Sequence, residues 1–516
     1  MADRESRRRG GRDARRAERA QPLAETIRPV WPGLEGGRYR PLSDADVMKV
    51  HGAALDVLEQ IGFADAIPSC IEMTTAKGAF LNEHGRLCFP RALVEDTIAK
   101  AARHFPLHGQ NPKHDMEPYG KRVYFGTAGA AVHMVDAATG AYRESTLEDL
   151  HAIARVVDSL DHIHYFQRSV IARDMTDPRD LDINTCYASV KGTAKHVGTS
   201  FTEPEFVDEA LAMLHMIAGS EEKLRERPFV SMSNCFVVPP MKFATDACRC
   251  LEAGVRGGMP VLLLAAGQAG ATSPASLVGA VVQEVAEVLG GLVYVNCIMP
   301  GAPAIFGPWP FVSDLRTGAM SGGSGEQALL MAACAQMAHY YDLTGGVCAG
   351  MTDSKVPDAQ AGYEKGYNYA LVANAGANMI YESAGMHASL LGFCMESLVI
   401  DNDAIGATLR TLRGIETDDQ ALSVDVIRDA CISGPGHFLG SEQTLGLMQS
   451  AYVYPTIGDR TSPKEWQELG STDVLQKAVA KTAELLATHH PDHISTDLDK
   501  KIRDRFPIKL PLPGAG

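Results

Sequence analysis

The sequence predicts an α/β protein built as a TIM-type (β/α)8 barrel with N-terminal and C-terminal helical additions. Short β-rich runs recur about every 32 residues, which is roughly the length that a strand, a loop and a helix need. Amphipathic stretches with helical spacing separate them, for example Phe206–Ala218 and Ala244–Arg256. Such repeated units imply a parallel sheet, and eight strands close a barrel. The candidate strands are Tyr165–Val170, His196–Ser200, Phe229–Cys235, Val261–Ala265, Leu292–Ile298, Ala304–Gly307, Gly346–Ala349 and Asn378–Tyr381.

One unit of this pattern is irregular. Only the turn-rich Met299–Pro303 separates Leu292–Ile298 from Ala304–Gly307, so no helix fits between these two candidate strands. Either that helix is missing or one strand is misassigned. An open, doubly wound parallel sheet is therefore the alternative architecture.

The chain divides into four predicted parts. The first helix begins at a capping pattern of Ser43 and Asp46 and ends at Gly62. Three candidate strands follow before the barrel, at Arg122–Phe125, Val132–Val135 and Ala141–Glu144. The predicted parts are a disordered Arg-rich tail (1–40), a helical segment with a β-hairpin (41–160), the barrel (161–395) and a C-terminal helical extension (396–516).

Composition and charge exclude several classes of protein. The formal net charge of −15 argues against binding to nucleic acid and to an anionic membrane surface. No uncharged apolar run reaches about 18 residues, and the charged N-terminus does not resemble a secretory signal. The 11 cysteines are scattered and odd in number, which favours reduced thiols. We therefore expect a cytoplasmic protein.

The sequence predicts no metal site. His489, His490 and His493 cluster near the C-terminus, but no cysteine or carboxylate lies at the spacing of a metal-ligand set. The Cys248 and Cys250 pair falls in a helical stretch, where residues two apart face different directions.

The segment Gly345–Gly366 carries the strongest candidates for catalysis. It is a strand of small residues followed by a polar loop, and in a barrel such loops face the active site. Met351, Asp353 and Lys355 are predicted to lie over the barrel mouth. The small residues would leave room inside the barrel.

Aromatic residues also fall at predicted strand ends. Tyr381 and Glu382 end the last strand, and Trp309 follows the sixth candidate. Aromatic rings with a carboxylate can hold an alkylammonium ion by cation–π attraction, although simple core packing is the alternative reading.

Several segments resemble the trimethylamine methyltransferase family of corrinoid-dependent methyltransferases, from about Leu42 to Leu486. The most specific are Asp353–Lys365 (Asp-Ser-Lys-Val-Pro-Asp-Ala-Gln-Ala-Gly-Tyr-Glu-Lys) and Leu398–Asp403 (Leu-Val-Ile-Asp-Asn-Asp). Weaker matches are Phe125–Thr127, Ala172–Asp174, Ala194–His196, Pro300–Ala302 and Asp314–Leu315.

The resemblance implies a TIM-type barrel that transfers an N-methyl group to the Co(I) corrinoid of a partner protein. No cofactor would be bound permanently, and a homo-oligomer is expected. Aligning the Asp353 segment places Met351 where the archaeal enzymes carry pyrrolysine, so the chain resembles the branch without that residue, some of whose members demethylate glycine betaine. Phe125 and Thr127 join Trp309, Tyr381 and Glu382 as candidate substrate-binding residues.

A quaternary ammonium already carries the positive charge that lets its amine leave as a neutral molecule, so methionine could suffice at position 351. Two other functions stay open. One is a lyase or decarboxylase acting on a small acid, for which only Arg168 and His196 offer suitable groups at strand ends. The other is a non-catalytic protein that binds betaine-like osmolytes.

Overall fold

Eight short parallel strands form the centre of this computed structural model, which describes residues 28–512. Most of the predicted Arg-rich tail and the last four residues lie outside the described residues. The chain divides into two units, a small one of residues 413–454 with the chain up to Trp31, and a large one of 32–412 and 455–516. In chain order the eight strands are β1 (Arg122–Phe125), β2 (Tyr165–Gln167), β3 (His196–Thr199), β4 (Val230–Asn234), β5 (Val261–Ala265), β6 (Ala304–Pro308), β7 (Gly346–Cys348) and β8 (Met379–Tyr381).

These strands close into a barrel. Parallel ladders join β2 to β3, β3 to β4, β4 to β5, β5 to β6, β7 to β8, and β8 to β1. Single parallel bridges, Gly126 with Tyr165 and Phe306 with Gly345, complete the ring between β1 and β2 and between β6 and β7. The predicted (β/α)8 barrel is therefore confirmed, and the open-sheet alternative is wrong.

Two assignments within the predicted barrel are wrong. Leu292–Ile298 is the last part of a 22-residue helix, Leu277–Ile298, and not a strand. The missing strand is Arg122–Phe125, which the sequence placed in a preceding hairpin segment, so the barrel starts near residue 122 rather than 161. The helix was misread because its C-terminal half is buried and carries no polar face to reveal a helical period.

One helix follows each barrel strand. The capping box of Thr146 and Asp149 starts the first, and Asp177, Ser324 and Asp358 cap three others with their side chains. In order the helices are α1 (Leu147–Asp158), α2 (Pro178–Gly192), α3 (Pro204–Ala218), α4 (Thr245–Arg256), α5 (Leu277–Ile298), α6 (Gly325–Tyr341), α7 (Ala359–Ala375) and α8 (Met395–Arg413).

Helix α5 is long and apolar enough, by length and composition alone, to cross a membrane. Most of it is buried inside the protein, which is the pattern of a core helix and makes this weak support for a membrane span. It also carries the two buried carboxyl groups of Glu284 and Glu287.

Small sheets lie beyond the C-terminal ends of the strands. The predicted hairpin is present as His133–Val135 and Tyr142–Glu144, and it joins Met386–His387 and Gly392–Phe393 in a four-stranded sheet. The loops after β4, β5 and β6 add the pairs Val237–Val238 with Lys242–Phe243 and Gln268–Ala269 with Phe311–Val312.

The N-terminal part surrounds the barrel with helices Asp44–Asp56, Pro68–Thr75 and Arg91–Lys100. Ser43 caps the first of them, as predicted, and a π-helical turn, Val57–Ile61, ends it at Gly62. A predicted tail up to residue 40 is wrong in its last part, because Leu34–Glu35 pairs antiparallel with the start of β1 and Leu34 is buried.

The predicted C-terminal extension is helical. In the large unit it contains Pro463–Glu468, Val474–Thr488 and Thr496–Arg505. Asp403 of α8 anchors its start by accepting hydrogen bonds from the backbone of Thr456, Ile457 and Gly458. The small unit contains Val424–Arg428, the π-helical turn Asp429–Ser433 and Glu442–Ser450.

Candidate active site

Three aromatic rings meet inside the barrel near the C-terminal ends of its strands. The Tyr381 ring lies 5.1 Å from the Tyr165 ring and 5.4 Å from the Trp309 ring, between centroids. The Trp309 indole N–H donates to the Gly346 carbonyl at 2.8 Å, which fixes its orientation. We call these three residues the ring cluster. Two of them, Trp309 and Tyr381, were predicted.

Glycines on neighbouring strands make space for the ring cluster. A Cβ atom at Gly346 would lie 2.9 Å from the Tyr381 ring, and one at Gly126 would overlap the Tyr165 ring. Gly346 of β7 therefore leaves space for a ring inside the barrel, whereas room for a ligand there stays a prediction. At Gly346 that room is filled by the protein's own tyrosine.

Glu382 follows Tyr381 and is buried with it. Its backbone is left-handed (φ 58°), which is uncommon for a residue with a side chain and takes the carboxyl out of the strand's alternation. Oε2 has no hydrogen-bond partner among the described residues. Burial raises the pKa of the carboxyl to about 8, and a hydrogen bond with the Cys348 thiol opposes this.

The Tyr165 hydroxyl is a second buried polar group that has no partner among the described residues. Burial raises its pKa well above the ordinary value, and the nearby Tyr381 and Glu382 add to the rise. Buried polar groups usually have partners, so these two oxygens keep hydrogen-bonding capacity that a ligand could use.

Above the ring cluster the barrel interior becomes accessible to solvent. Alternate residues of a strand face the same side. Gln167 lies on the Tyr165 side of β2, and a Cβ at Gly198 would overlap its amide. On that same inner face, His196 hydrogen-bonds Ser231 at 2.9 Å. The next positions along β3 and β4 on this face are Ser200, Ser233 and Cys235; the two serines are partly exposed and Cys235 is exposed.

The Cys235 thiol in this accessible layer lies within electrostatic range of both Glu382 and Arg168. Burial raises the pKa of the Cys235 thiol to about 11, while the Arg168 cation lowers it and Glu382 raises it. The thiol is therefore open to solvent and yet enclosed by protein. We call the solvent-accessible space above the ring cluster, bordered by Ser200, Ser233 and Cys235, the chamber.

Met351 is fully buried beneath the loop before α6. A Cβ at Gly322 would lie 3.0 Å from its Cβ and 3.3 Å from its sulfur. Gly350, in the left-handed region at φ 112°, turns the chain into this position, and its hydrogen is all that fits against Tyr369.

Asp353 and Lys355 do not enter the chamber. The Asp353 carboxylate accepts from Ser321 Oγ at 2.6 Å, Gly322 N at 2.8 Å and Ser389 Oγ at 2.8 Å, so it fastens the loops after β6 and β8 to its own loop. Lys355 is exposed, and its ammonium donates to the Asp353 carbonyl. The geometry gives Asp353 a positioning role and Lys355 no contact with the ring cluster.

Phe125 and Thr127 also lie outside the chamber. The Phe125 ring packs edge-on against Tyr369 of α7 at 5.9 Å, so it faces the helix layer. The Thr127 hydroxyl donates to the backbone carbonyl of Gln167 at 2.7 Å and accepts from the backbone N–H of Gln167 at 3.0 Å. These two hydrogen bonds join the end of β1 to β2 and occupy the Thr127 hydroxyl.

A buried ion pair joins the two most specific sequence motifs. Lys365 of α7 donates to Asp401 of α8 at 2.6 Å, and Asp401 also accepts from the Gly385 amide at 2.8 Å. Gly385 lies three residues after Glu382. The motifs therefore secure the loop that carries the buried carboxyl.

The C-terminal histidines have structural partners. His489 hydrogen-bonds Asp158 at 2.8 Å, and His493 hydrogen-bonds the Val190 carbonyl at 2.7 Å. Within residues 28–512 no group of three or more His, Cys, Asp or Glu side chains is arranged to hold a metal ion.

The sequence interpretation missed Tyr165 and Cys235. Tyr165 begins β2 and Cys235 directly follows β4, and both strands were themselves predicted. The available signal was the alternation along β2 and β4, but using it requires knowing which face points inward. That face was obscure while β1 was assigned to another part of the chain.

Comparison with known proteins finds family similarity over a longer part of the chain than the motifs indicated. The sequence model of the trimethylamine methyltransferase (MTTB) family matches residues 8–508. Trimethylamine methyltransferase MttB of Desulfitobacterium hafniense is 31% identical over 91% of this chain and 94% of its own length. The glycine betaine methyltransferase of Desulfitobacterium hafniense (strain Y51) is 28% identical over 90% and 96%.

Among solved structures, the monomethylamine methyltransferase MtmB of Methanosarcina barkeri covers 87% of this chain and 95% of its own, at 13% identity and a TM-score of 0.45. The barrel assignment rests on the strand pairing and not on this likeness. The family match spans nearly the whole chain and reaches beyond Leu42 and Leu486, the limits that the motifs indicated. The protein is a methyltransferase that belongs to the trimethylamine methyltransferase family.

Proposed function

We propose that this enzyme moves an N-methyl group from a quaternary or tertiary methylammonium compound, of the glycine betaine kind, to the Co(I) corrinoid of a partner protein. The observation that carries the proposal is Glu382, a buried carboxyl with an unpartnered oxygen beside a cluster of aromatic rings. Family membership supports the reaction class. The names of the related enzymes support a methylated amine as the donor.

The chamber matches the electrostatic demands of such a donor. A quaternary ammonium cannot donate a hydrogen bond, so it is recognised by ring faces and by an opposite charge. Tyr381 and Trp309 supply the rings, and Glu382 supplies the charge after it loses its proton. The arriving cation favours the ionised carboxylate and so drives that proton loss.

The transfer itself asks for little acid–base chemistry. The bond between nitrogen and the methyl carbon breaks, its electron pair stays on nitrogen, and a bond forms between that carbon and cobalt. A quaternary donor leaves as a neutral amine and needs no proton. The residues of this chain would bind the cation, orient one methyl group toward the barrel mouth and exclude water.

Because the residues bind and orient the cation but supply no acid–base group, we expect a quaternary donor rather than a tertiary one. A tertiary amine needs activation before its methyl group can leave, and Met351 is a buried thioether with no charge to offer. We expect Met351 to act by packing against the loop at Gly322 rather than by chemistry.

We place the reaction in the cytoplasm. Co(I) persists only in a reducing environment, and all 11 cysteines of the chain are unpaired. Thiols stay reduced in that compartment.

Anaerobic incubation with cob(I)alamin and a panel of amines tests the proposal. The panel contains tetramethylammonium, choline and glycine betaine as quaternary donors, with trimethylamine and dimethylglycine as tertiary ones. We expect the cobalamin spectrum to change to methylcobalamin with at least one quaternary donor, and faster than with the tertiary amines. Absence of methylcobalamin with every compound would contradict the proposal.

The same assay separates the two alternative functions. A non-catalytic betaine-binding protein would bind a panel member, measured by calorimetry, without forming methylcobalamin. A lyase or decarboxylase would consume a small acid in the absence of cob(I)alamin.

A further inference from the structure

Helix α5 carries two buried glutamates that the proposed reaction does not use. Glu284 and Glu287 are both fully buried and lie three residues apart, so they share one face of the helix. Glu284 Oε1 accepts from the backbone N–H of Gly267 at 2.6 Å, and Glu287 Oε1 accepts from that of Met241 at 2.7 Å. The two carboxyls therefore join α5 to the loops after β5 and β4, at the C-terminal end of the barrel.

The second oxygen of each carboxyl has no hydrogen-bond partner among the described residues. Between residues 28 and 512 neither carboxyl has a cationic side chain as an ion-pair partner. Glu252 of α4 is the contrasting case, because it accepts from the hydroxyls of Ser69 and Tyr294, both at 2.6 Å. Arg256 also pairs with Glu252 at 2.9 Å. The protein thus surrounds one buried glutamate with partners and leaves the α5 pair without a counter-charge.

The cost of enclosing the α5 pair falls on its ionised form. Burial raises the pKa of both carboxyls, and the charge of Glu287 raises that of Glu284 further. Two carboxylates without a positive charge are expensive in a buried place, whereas a cation that contacts both removes the penalty. One divalent ion balances their charge.

A third unpartnered oxygen lies at the same place. Ser273 Oγ is buried and has no partner among the described residues. A Cβ atom at Gly267 would lie 3.2 Å from Ser273 Cβ and 2.3 Å from Glu284 Oε1. The serine side chain and the Glu284 carboxyl therefore meet at Gly267, where the absence of a side chain gives them room.

Gln283 connects Glu287 to these groups. Its side-chain nitrogen donates to Glu287 Oε1 at 3.2 Å and to the Thr272 carbonyl at 3.0 Å. The same nitrogen would lie 3.3 Å from a Cβ atom at Gly267. Gln283 and Met241 also line a surface cavity of about 670 Å³, which offers an entry path toward the buried carboxyls. We call the four side chains that meet here the oxygen cluster: Ser273, Gln283, Glu284 and Glu287.

We propose that the oxygen cluster binds one divalent cation that prefers oxygen ligands, Mg²⁺ or Ca²⁺, through the free oxygens of Glu284 and Glu287 and the Ser273 hydroxyl. Such ions are held mainly by carboxylates, with other oxygens and water completing their shell. This ligand set differs from the clusters of three or more His, Cys, Asp or Glu side chains that residues 28–512 lack. The ion would hold the loops after β4 and β5 against α5.

Calorimetric titration of the full-length protein tests the assignment. The wild type is first depleted of metal with a chelator and then titrated at pH 8 and constant ionic strength with MgCl₂ or CaCl₂. We expect one ion of at least one of these metals to bind per chain. Because sites of this kind have dissociation constants up to about 1 mM, the absence of binding of both metals at about 10 mM overturns the proposal.

Substitution of the two carboxyls then locates the ion. In the double variant Glu284→Gln, Glu287→Gln the amide oxygens can still accept from Gly267 and Met241, so the loops stay joined to α5. The affinity for the metal should fall at least about thirtyfold, because both negative charges are lost. Glu252→Gln is the matched control, and it should change the affinity by less than about twofold because that carboxyl already has its partners.

Thermal melts give a second readout that does not depend on activity. An ion bound only by the folded protein raises the Tm as its concentration increases, so the Tm of the wild type should rise and that of the double variant should not. An equal rise in both proteins, or full metal affinity in the double variant, places the ion elsewhere and overturns the assignment. If the double variant does not fold, Ser273→Ala replaces it, and undiminished affinity there has the same meaning.

Discussion

Lys195 and Glu382 are both buried ionisable residues of the barrel, and they lie at its opposite ends. Lys195 precedes β3, and its ammonium donates to the carbonyls of Val157, Leu160 and Ile163 at 2.6, 2.6 and 2.5 Å. Glu382 follows β8, and one of its oxygens has no partner among the described residues. Burial lowers the pKa of Lys195 to about 8 and raises that of Glu382 to about 8.

We infer from this comparison that hydrogen-bond partners, rather than burial, distinguish the structural charge of Lys195 from the proposed binding role of Glu382. Both groups bear the cost of leaving water. At the N-terminal end the protein offsets this cost with three hydrogen bonds, so Lys195 joins helix α1 to the barrel. At the C-terminal end no hydrogen bond offsets it at Glu382 Oε2, and we propose that a ligand does so.

The largest expected effect is on stability at the N-terminal end. Lys195→Met removes a donor from three buried carbonyls, and we expect it to lower the free energy of unfolding by about 3 kcal/mol. Urea unfolding at pH 7 measures this. Lys100→Met removes an exposed i,i+4 pair with Asp96 and should change the value by less than about 0.5 kcal/mol. Equal effects of the two variants would remove the contrast between the ends.

The next effect concerns binding at the C-terminal end. Glu382→Gln keeps the size of the side chain but cannot ionise, so the affinity for tetramethylammonium at pH 8.5 should fall about thirtyfold, equivalent to ~2 kcal/mol. Stability should not fall, because burial already disfavours the charge. A variant that unfolds more easily and binds the cation as well as the wild type would assign Glu382 to structure.

How far the sequence could predict this arrangement differs between backbone and side chains. The βα period identified seven of the eight strands, because length and apolar content follow directly from the repeat. It failed at Leu292–Ile298, where β-branched residues lie in a helix that is buried on all sides. It placed Arg122–Phe125 outside the barrel because a hairpin, and not a helix, comes next along the chain.

Side-chain roles followed the sequence less closely. Trp309, Tyr381 and Glu382 were predicted at the barrel mouth because they end or follow strands. Nothing local could show that the Asp353 carboxylate is used up by hydrogen bonds from Ser321 and Ser389, which come from two other loops. Hydrogen-bond partners that are distant in sequence are fixed by the tertiary structure alone.

Asp353 sharpens the comparison, because it is a charged group at the functional end that does have partners. If partners decide the role, Asp353→Ala should lower the free energy of unfolding by about 1.5 kcal/mol through loss of its hydrogen bonds. Lys355→Met in the same loop should change it by less than about 0.5 kcal/mol, since Lys355 is exposed. Urea unfolding of the two variants decides; a larger effect at Lys355 would contradict the geometry.

The smallest expected effect separates the two sides of one strand. Phe125 faces helix α7, so Phe125→Leu should cost about 1 kcal/mol of stability through looser packing. The affinity for tetramethylammonium should stay within about twofold, in contrast to Tyr381→Leu, which removes a ring of the cluster. An equal loss of affinity in Phe125→Leu and Tyr381→Leu would contradict this placement and show that Phe125 contributes to the binding site.

The central claim is that Glu382 is held neutral in the empty protein and ionises when a cation arrives. With a pKa of about 8, the carboxyl is about nine-tenths protonated at pH 7, so binding should release close to one proton. Tyr165, Tyr381, Cys348 and Cys235 are the other titratable groups near it, and burial raises the pKa of each, which leaves Glu382 as the source of the proton.

Calorimetric titration of tetramethylammonium at pH 7, in buffers of different ionisation enthalpy, counts that proton. The account predicts a release of about 0.9 proton per bound cation in the wild-type protein and none in Glu382→Gln. Cation binding without proton release in the wild type, or with the same release in both proteins, would contradict it.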